Sequence, residues 1–341
     1  MFVSKNVLSL ACSAIGLMPV IASRYGGCGS ILALHRVTAN FDNVVHRSLY
    51  CSVGLLDDLI KELLRCGYEI ISLNDIISHL RPRSKRFVAI TFDDGYRDNF
   101  DLALPIFQRY GVPFTIFITS GMVRRTLSYW WRCLEELLLR KQSLDAGFLG
   151  KRINLATRDA KLAAWQPLRD AYLFDQNSAR QELTALFARE GISETQLLDQ
   201  DTLDEEMVKA LARIPGVEIG GHTENHPQLS KLTDDEAKTE IQGNKAYLES
   251  LIDREVRHFA YPFGGKEDCG PREFAMVRDL GFATAVTTRN ANLFPEHAAA
   301  LTALPRLGFS GEQLNAILLH LKLAGGTRLA EAPFGSPVVS D

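Results

Sequence analysis

The sequence predicts an α/β fold: a distorted seven-stranded (β/α) barrel with a helical region inserted into it. Three observations carry that reading. Apolar runs of strand length recur along the chain, and they are continuous rather than alternating, as in strands buried on both faces. Helical patterns separate them, which implies βα units and parallel pairing. The alternation lapses only once, between about residues 124 and 206, where the patterns are helical alone.

Taken in order, the first strand is Ile31–Leu34 (ILAL), and Glu69–Leu73 (EIISL) follows a helical stretch over Leu55–Cys66. Phe87–Phe92 (FVAITF) and Phe114–Thr119 (FTIFIT) come next. The inserted region then reads as helices over Tyr129–Arg140, Arg158–Leu173 and Ser178–Arg189, with no strand pattern. Its Trp130–Trp131 pair suits either core or a lip against which a sugar ring stacks. Val217–Gly220 (VEIG), Val256–Tyr261 (VRHFAY) and Phe282–Thr287 (FATAVT) complete the seven. Residues 24–324 therefore form the barrel domain, and the Gly-, Pro- and Ser-containing residues 325–341 are expected to be a flexible tail.

Composition bounds the function. The 341 residues are 46% hydrophobic and 23% charged, ordinary for a globular chain whose core needs no disulfides. A formal net charge of −3 gives no nucleic-acid signal. The six cysteines show no CxxC pair, which argues against a cysteine zinc site and favours a reducing compartment; Cys66, in LLRCGY, reads as a small buried hydrophobe. Residues 1–23 hold an apolar stretch, Val7–Ala22, that is short for a membrane span of about 20 residues. One Lys before it, Pro19 within it and no clear cleavage site after it favour a packed helix over a signal peptide. A cytoplasmic location with no stable membrane span is thus expected, with export or membrane association as the alternative.

Chemistry concentrates at three strand ends. Thr91-Phe92-Asp93-Asp94-Gly95 places two adjacent carboxylates where FVAITF gives way to a helix, at the mouth where barrel active sites gather. Two buried like charges repel, and a divalent cation on one of them removes that cost. His222-Thr-Glu-Asn-His226-Pro227 follows VEIGG and offers two imidazoles within five residues. Two nitrogens and a carboxylate oxygen, with room for water, form the open pattern of a catalytic zinc site. His258–Gly265 (HFAYPFGG) supplies a rigid Pro- and Gly-containing loop, able to present a backbone N–H.

TFDDG, HTENHP and YPFG, in this order, resemble the first three motifs of the polysaccharide deacetylases, the nodulation-type chitooligosaccharide and peptidoglycan N-deacetylases of carbohydrate esterase family four. The resemblance spans roughly Ile31 to Thr288 without the insertion. It implies that Asp93 is the catalytic base and that Asp94, His222 and His226 hold one divalent metal ion of the zinc type. It further implies an N-acetylated glycan as substrate. The loop with Pro262 and Phe263 is the candidate for the substrate and oxyanion side, where the Phe263 N–H and the metal would hold the oxyanion.

Two departures stand out. The third motif usually begins with an Arg that orients the catalytic Asp, and that position is Ala260 here. Arg306, in LPRLG, is a candidate for the role, with a structural salt bridge as the competing reading. The family's closing Leu-rich strand ends in a His that acts as general acid. His320 in ILLH matches the string, yet Ser310 and Gln313 form a capping-box pattern that makes Gln313–Lys322 a helix. His35, ending the strand ILAL, is preferred as the acid, as in family members that look circularly permuted. The expected activity is metal-dependent hydrolysis of N-acetyl groups on amino sugars. Hydrolysis of a non-sugar amide, a carbohydrate-binding relic without activity, and a structural metal site remain the alternatives.

Overall fold

The computed structural model describes residues 18–81, 85–174, 178–333 and 335–340. Eight strands form one parallel sheet: β1 Gly29–Leu34, β2 Glu69–Ile70, β3 Phe87–Phe92, β4 Phe114–Ile118, β5 Val217–Gly221, β6 His258–Ala260, β7 Thr284–Val286 and β8 Leu307–Gly308. The hydrogen-bonded order is β7-β6-β5-β4-β3-β1-β8. Every residue of β1 and β3 is buried, as continuous apolar runs require.

Seven strands make the curved path, but they are not the seven the sequence pointed to. The run expected as a strand over Glu69–Leu73 pairs over two residues only, Glu69 with Phe87 and Ile70 with Val88. β1 occupies the other edge of β3 along its whole length, so β2 shares one edge with β4, which pairs at Thr91 and Phe92. The place in the path goes to Leu307–Gly308, which pairs with Leu32 and Ala33. The chain just before it closes the curl: Leu304 bridges Val286 of β7, and three residues later Leu307 meets β1. Two residues, one of them Gly, carry no readable period.

Helices cover the outside. Val53–Arg65 is capped by the Ser52 hydroxyl on the Leu55 N–H and buries Leu55, Leu56, Leu59, Ile60 and Leu63 as one stripe against the sheet. Asp234–Ile252 opens with a Thr233–Glu236 capping box.

The inserted region is helical over Trp130–Arg140, Arg158–Phe174 and Ser178–Arg189, with two shorter helices after them. It also contains an antiparallel hairpin, Ser143–Ala146 with Lys151–Asn154, where no strand was expected. Its turn runs through Gly150 at φ 61°. Only Leu144 and Ala146 alternate inward there, too short a pattern to separate from helix. The region has its own core, including Leu134, Leu137, Leu138, Leu168 and Leu183, and that core continues into Val45, Tyr96 and Met122 from the barrel loops.

Three expectations at the periphery change. The tail expected to fray carries a helix, Gly326–Glu331, and His297 Nε2 meets the Val339 carbonyl at 3.0 Å, leaving Val339 5% exposed. Its apolar residues found partners that its composition did not announce. Cys66 is exposed, because it follows the last turn of its helix on the solvent side. The late helix runs over Ala316–Leu323 and is capped by Asn315 on the Leu318 N–H rather than by Ser310. The apolar stretch Val7–Ala22 lies mostly outside the described residues; residues 18–25 are helical, and Ile21 and Tyr25 pack on Ala324. Among the described residues no helix is long and apolar enough to cross a membrane.

Candidate active site

The two adjacent carboxylates diverge immediately. The Asp93 N–H still donates to Leu34 O at 2.9 Å, continuing the parallel ladder. Asp94 then turns into the left-handed region at φ 77°, and Gly95 follows at φ 94°. Asp tolerates that region better than most residues, and Gly freely. The side chains thus leave the strand end in different directions and meet different partners.

Asp93 meets Arg306. The guanidinium forks onto the carboxylate, Nη1 to Oδ1 and Nη2 to Oδ2, both at 2.7 Å. It also donates from Nη1 to Thr91 Oγ1 at 3.0 Å and from Nε to Thr287 O at 2.9 Å. Arg306 is fully buried. Burial pushes the Asp93 carboxyl up, but the Arg306 charge and its hydrogen bonds outweigh it and hold Asp93 below the ordinary carboxylate value. Ala260, where the third motif departs, lies fully buried among Phe117, Val286 and Leu304. Arg306 lies over that same Phe117 ring, 5.7 Å from its centroid. The guanidinium thus reaches the aspartate from the chain before β8, on the other side of the barrel closure.

Asp94 meets two imidazoles. His222 Nε2 lies 3.2 Å from Asp94 Oδ1, and His226 Nε2 lies 3.3 Å from the same oxygen. Oδ1 is buried and has no hydrogen bond of proper geometry. Donor-type atoms of the three residues all lie within 4.8 Å of one another. His222 Nδ1 sits 2.7 Å from the Ala260 carbonyl, a bond that only Nδ1–H can make. When this ring is neutral, its Nε2 therefore carries the lone pair that faces Asp94. A buried, orphaned carboxylate oxygen between two imidazole nitrogens is what a divalent cation satisfies, and the donor set suits zinc or a related ion.

The loop that carries the histidines is held from behind. Asn244, fully buried on the helix Asp234–Ile252, accepts from the His222 N–H at 3.0 Å and donates to Ile118 O at 2.9 Å and Thr223 O at 2.7 Å. Thr223 and His226 have φ of 65° and 54°, and Phe263 has φ of 60°. At Phe263 the Gly264 N–H reaches Pro262 O at 2.7 Å, a tight turn with strained backbone. Among the described residues, four of the six non-glycine residues with positive φ thus surround this site. The Phe263 ring lies 5.0 Å from that of His226, and Pro262 is buried behind it.

His35 directly follows β1 and lines the cavity at this mouth, with Nε2 3.9 Å from Asp93 Oδ2 and its side chain 24% exposed. Burial lowers its pKa, with Asp94 and Asp93 pulling the other way. His320 is elsewhere: it sits on the helix Ala316–Leu323, paired to Glu62 at 2.7 Å.

Every site residue expected from the sequence except His320 thus gathers at one mouth. Several neighbours had gone unread. Asn244 left no signal, since an Asn in a long helix is more often exposed. Trp165, Arg169 and His46 form the far wall of the cavity with Trp130 and Trp131. The tryptophan pair packs against the insertion core and also lines the cavity.

The comparisons with known proteins agree with this geometry. The family described as polysaccharide deacetylase matches residues 81–148 and 169–283. The YxkH protein of Bacillus subtilis (strain 168), assigned by name to the polysaccharide deacetylases, is 20% identical over 265 residues, or 75% of this chain. The chain spans 66% of that relative's own length. Among solved structures, the Streptococcus pyogenes deacetylase PplD in complex with acetate superposes with TM-score 0.55 at 18% identity, covering 82% of this chain and 92% of that one. IcaB from Ammonifex degensii gives TM-score 0.54 at 14% identity, over 88% and 98%. BC0361, a polysaccharide deacetylase from Bacillus cereus, gives TM-score 0.54 at 15% identity, over 86% and 68%. At such identities the likeness is one of fold; the family match, which covers more than half of the chain, establishes that the protein belongs to the polysaccharide deacetylase family.

Proposed function

We propose that the protein is a metal-dependent N-deacetylase of an amino-sugar glycan. The observation that carries this is the pairing of an orphaned Asp94 oxygen, set between two imidazoles, with a neighbouring aspartate kept ionised by a buried arginine. A divalent cation held by Asp94, His222 and His226 would polarise the acyl carbonyl and make water more acidic. Asp93 accepts the proton of the attacking water as general base. Arg306 keeps Asp93 charged and fixes its orientation, the role that the missing motif arginine would have had. Its presence favours an active enzyme over a relic without activity. The Phe263 N–H helps to hold the oxyanion, with Pro262 keeping the turn rigid. His35 protonates the leaving amine, because an amine anion departs too poorly alone. The products are a free amino group and acetate.

The test is acetate release from chitooligosaccharides, bacterial exopolysaccharide and peptidoglycan, with and without chelator. The expected result is release from at least one of them, lost on chelation and restored by zinc. Asp93→Asn should keep the ion and lose about 10²- to 10⁴-fold in rate. Release that persists unchanged in that variant would overturn the assignment.

A further inference from the structure

The cavity has two walls of different character. The barrel wall brings the acidic pair and the two histidines. The wall opposite belongs to the insertion and to the loop beneath it: Trp165 and Arg169 from the helix Arg158–Phe174, and His46. Trp165 and Arg169 are four residues apart and so share one helix face. The His46 ring stacks on the Trp165 indole at 4.4 Å between centroids, with 28° between planes. The loop with His46 is itself fixed by the insertion. Glu135, buried on the helix Trp130–Arg140, accepts from the N–H groups of Val45 and His46 at 2.9 and 3.1 Å and from the Tyr50 hydroxyl at 2.8 Å.

The charges on the two walls are met differently. Asp93 is answered by the Arg306 fork. Asp94 is answered by its histidines and by the cation that they would share. Arg169 has a carboxylate neighbour, Asp170, which takes a single bond from Nη1 at 3.0 Å, and that carboxylate is 42% exposed and also takes Gln166 Nε2 at 2.8 Å. Arg169 itself lines the cavity, with its side chain one quarter exposed. A guanidinium so placed is matched by a planar or tetrahedral oxyanion. The family match skips residues 149–168 and resumes at Arg169, so of these two residues only Trp165 lies in chain that the family pattern does not describe.

Resting on the deacetylase reading, we propose that the substrate carries an anionic group, a carboxylate or a phosphate, beside the sugar that is deacetylated, and that Arg169 receives it against the Trp165–His46 stack. The inserted region is then a specificity element for acidic amino sugars.

The test compares kcat/KM of the zinc-loaded enzyme for three N-acetylated substrates: a neutral chitooligosaccharide, one bearing a carboxylate, and N-acetylglucosamine 1-phosphate. The carboxylate and phosphate arms distinguish the two sources of charge. The wild type should prefer one anionic substrate over the neutral one, and added salt should erode that preference. In Arg169→Gln the ratio of anionic to neutral kcat/KM should fall about 10- to 100-fold, chiefly through KM, with Arg169→Lys between. Calorimetry on Asp93→Asn should show the anionic ligand binding more tightly than the neutral one. A wild type that prefers the neutral substrate overturns the inference and leaves the deacetylase reading standing. A loss in Arg169→Gln that is equal for all three overturns it too, as the mark of a structural arginine. Failure of all three substrates, with tight anion binding absent from the calorimetry, overturns the inference, while the deacetylase reading is then decided separately by acetate release from exopolysaccharide and peptidoglycan.

Discussion

Replacing Arg306 by Met isolates what the buried arginine does. The side chain is fully buried, and its guanidinium makes two bonds to Asp93 and one each to Thr91 and Thr287. Methionine fills much of the stem volume but leaves Asp93 buried without its principal counter-charge. Breaking a buried pair in this way costs about 3–5 kcal/mol. At roughly 2–4 °C per kcal/mol for a domain of this order of size, melting should fall by about 10 °C. The cost should depend on pH, and its sign follows from Asp93. In the wild type burial raises its pKa, but Arg306 and then His222 and His35 pull it below the ordinary carboxylate value. Its stabilising contribution is therefore present above an unfolded value of about 3.9 and lost as pH falls through the lower folded value. In the variant the burial effect is left without its main opponent, and the folded value rises. The penalty is then full at neutral pH and relieved as pH falls through that raised value. Urea unfolding of chelated wild type and variant at pH 7 and pH 5 should show the gap between them narrowing at pH 5. Acetate release at pH 7 should drop at least 10²-fold, since the base loses the fork that fixes its orientation. Arg306→Lys keeps the charge without the fork and should fall between. A stability gap that stays constant with pH, or a variant with more than a tenth of wild-type activity, would refute the assignment of Arg306 to Asp93.

Three further outcomes are expected. His222→Ala and His226→Ala should each lose the roughly one zinc-like ion per chain found by elemental analysis of the wild type, and mild acid should release it from the wild type as the imidazoles protonate; equal metal content throughout would sink the ligand assignment. His35→Ala should slow amide hydrolysis far more than hydrolysis of an activated ester, whose leaving group needs less protonation, while His320→Ala should show no such selectivity; the reverse pattern would exchange their roles. Asn244→Ala removes the side chain that holds His222 N–H, Ile118 O and Thr223 O, so zinc affinity measured by competition should fall about 10- to 100-fold; unchanged affinity would mean that the loop holds itself.

The barrel was legible where its strands are long and buried on both faces. β1, β3, β4, β5, β6 and β7 appear within about two residues of their expected bounds, because short runs rich in buried apolar residues leave few alternatives. The two-residue strands were not legible. Glu69–Leu73 is a run of similar length but reaches an edge that β4 already occupies, and Leu307–Gly308 offers two residues to a position that only the curvature defines. The site divides in the same way. Asp93, Asp94, His222 and His226 announce themselves because each sits at a strand's C-terminal end in a short string of polar residues. Asn244, Trp165 and Arg169 lie inside ordinary amphipathic helices, and only the packing of those helices on the barrel brings them to the mouth. Arg306 lies between, since an arginine in an apolar stretch is visible but its partner is not.

The adjacency of Asp93 and Asp94 explains why the rest of the site is so strongly constrained. Two neighbouring residues on a regular strand would point to opposite faces, one inward and one away. A site that needs a base and a ligand a few ångströms apart must bring the second carboxylate back to the same mouth. The left-handed turn at Asp94, continued at Gly95, does this. It spends backbone strain of order 1–3 kcal/mol at Asp94, a conformation that persists only when its surroundings impose it. Those surroundings are visible. The Asp94 carbonyl accepts from the Thr119 N–H at 3.1 Å, and the Gly95 carbonyl accepts from the Leu203 N–H at 3.0 Å. Leu203 sits at the end of the inserted region, so the insertion that forms the far wall of the cavity also fastens the turn that splits the two carboxylates. The barrel alone would supply the residues. Their division into one aspartate clamped by arginine and another facing two imidazoles needs both layers in place.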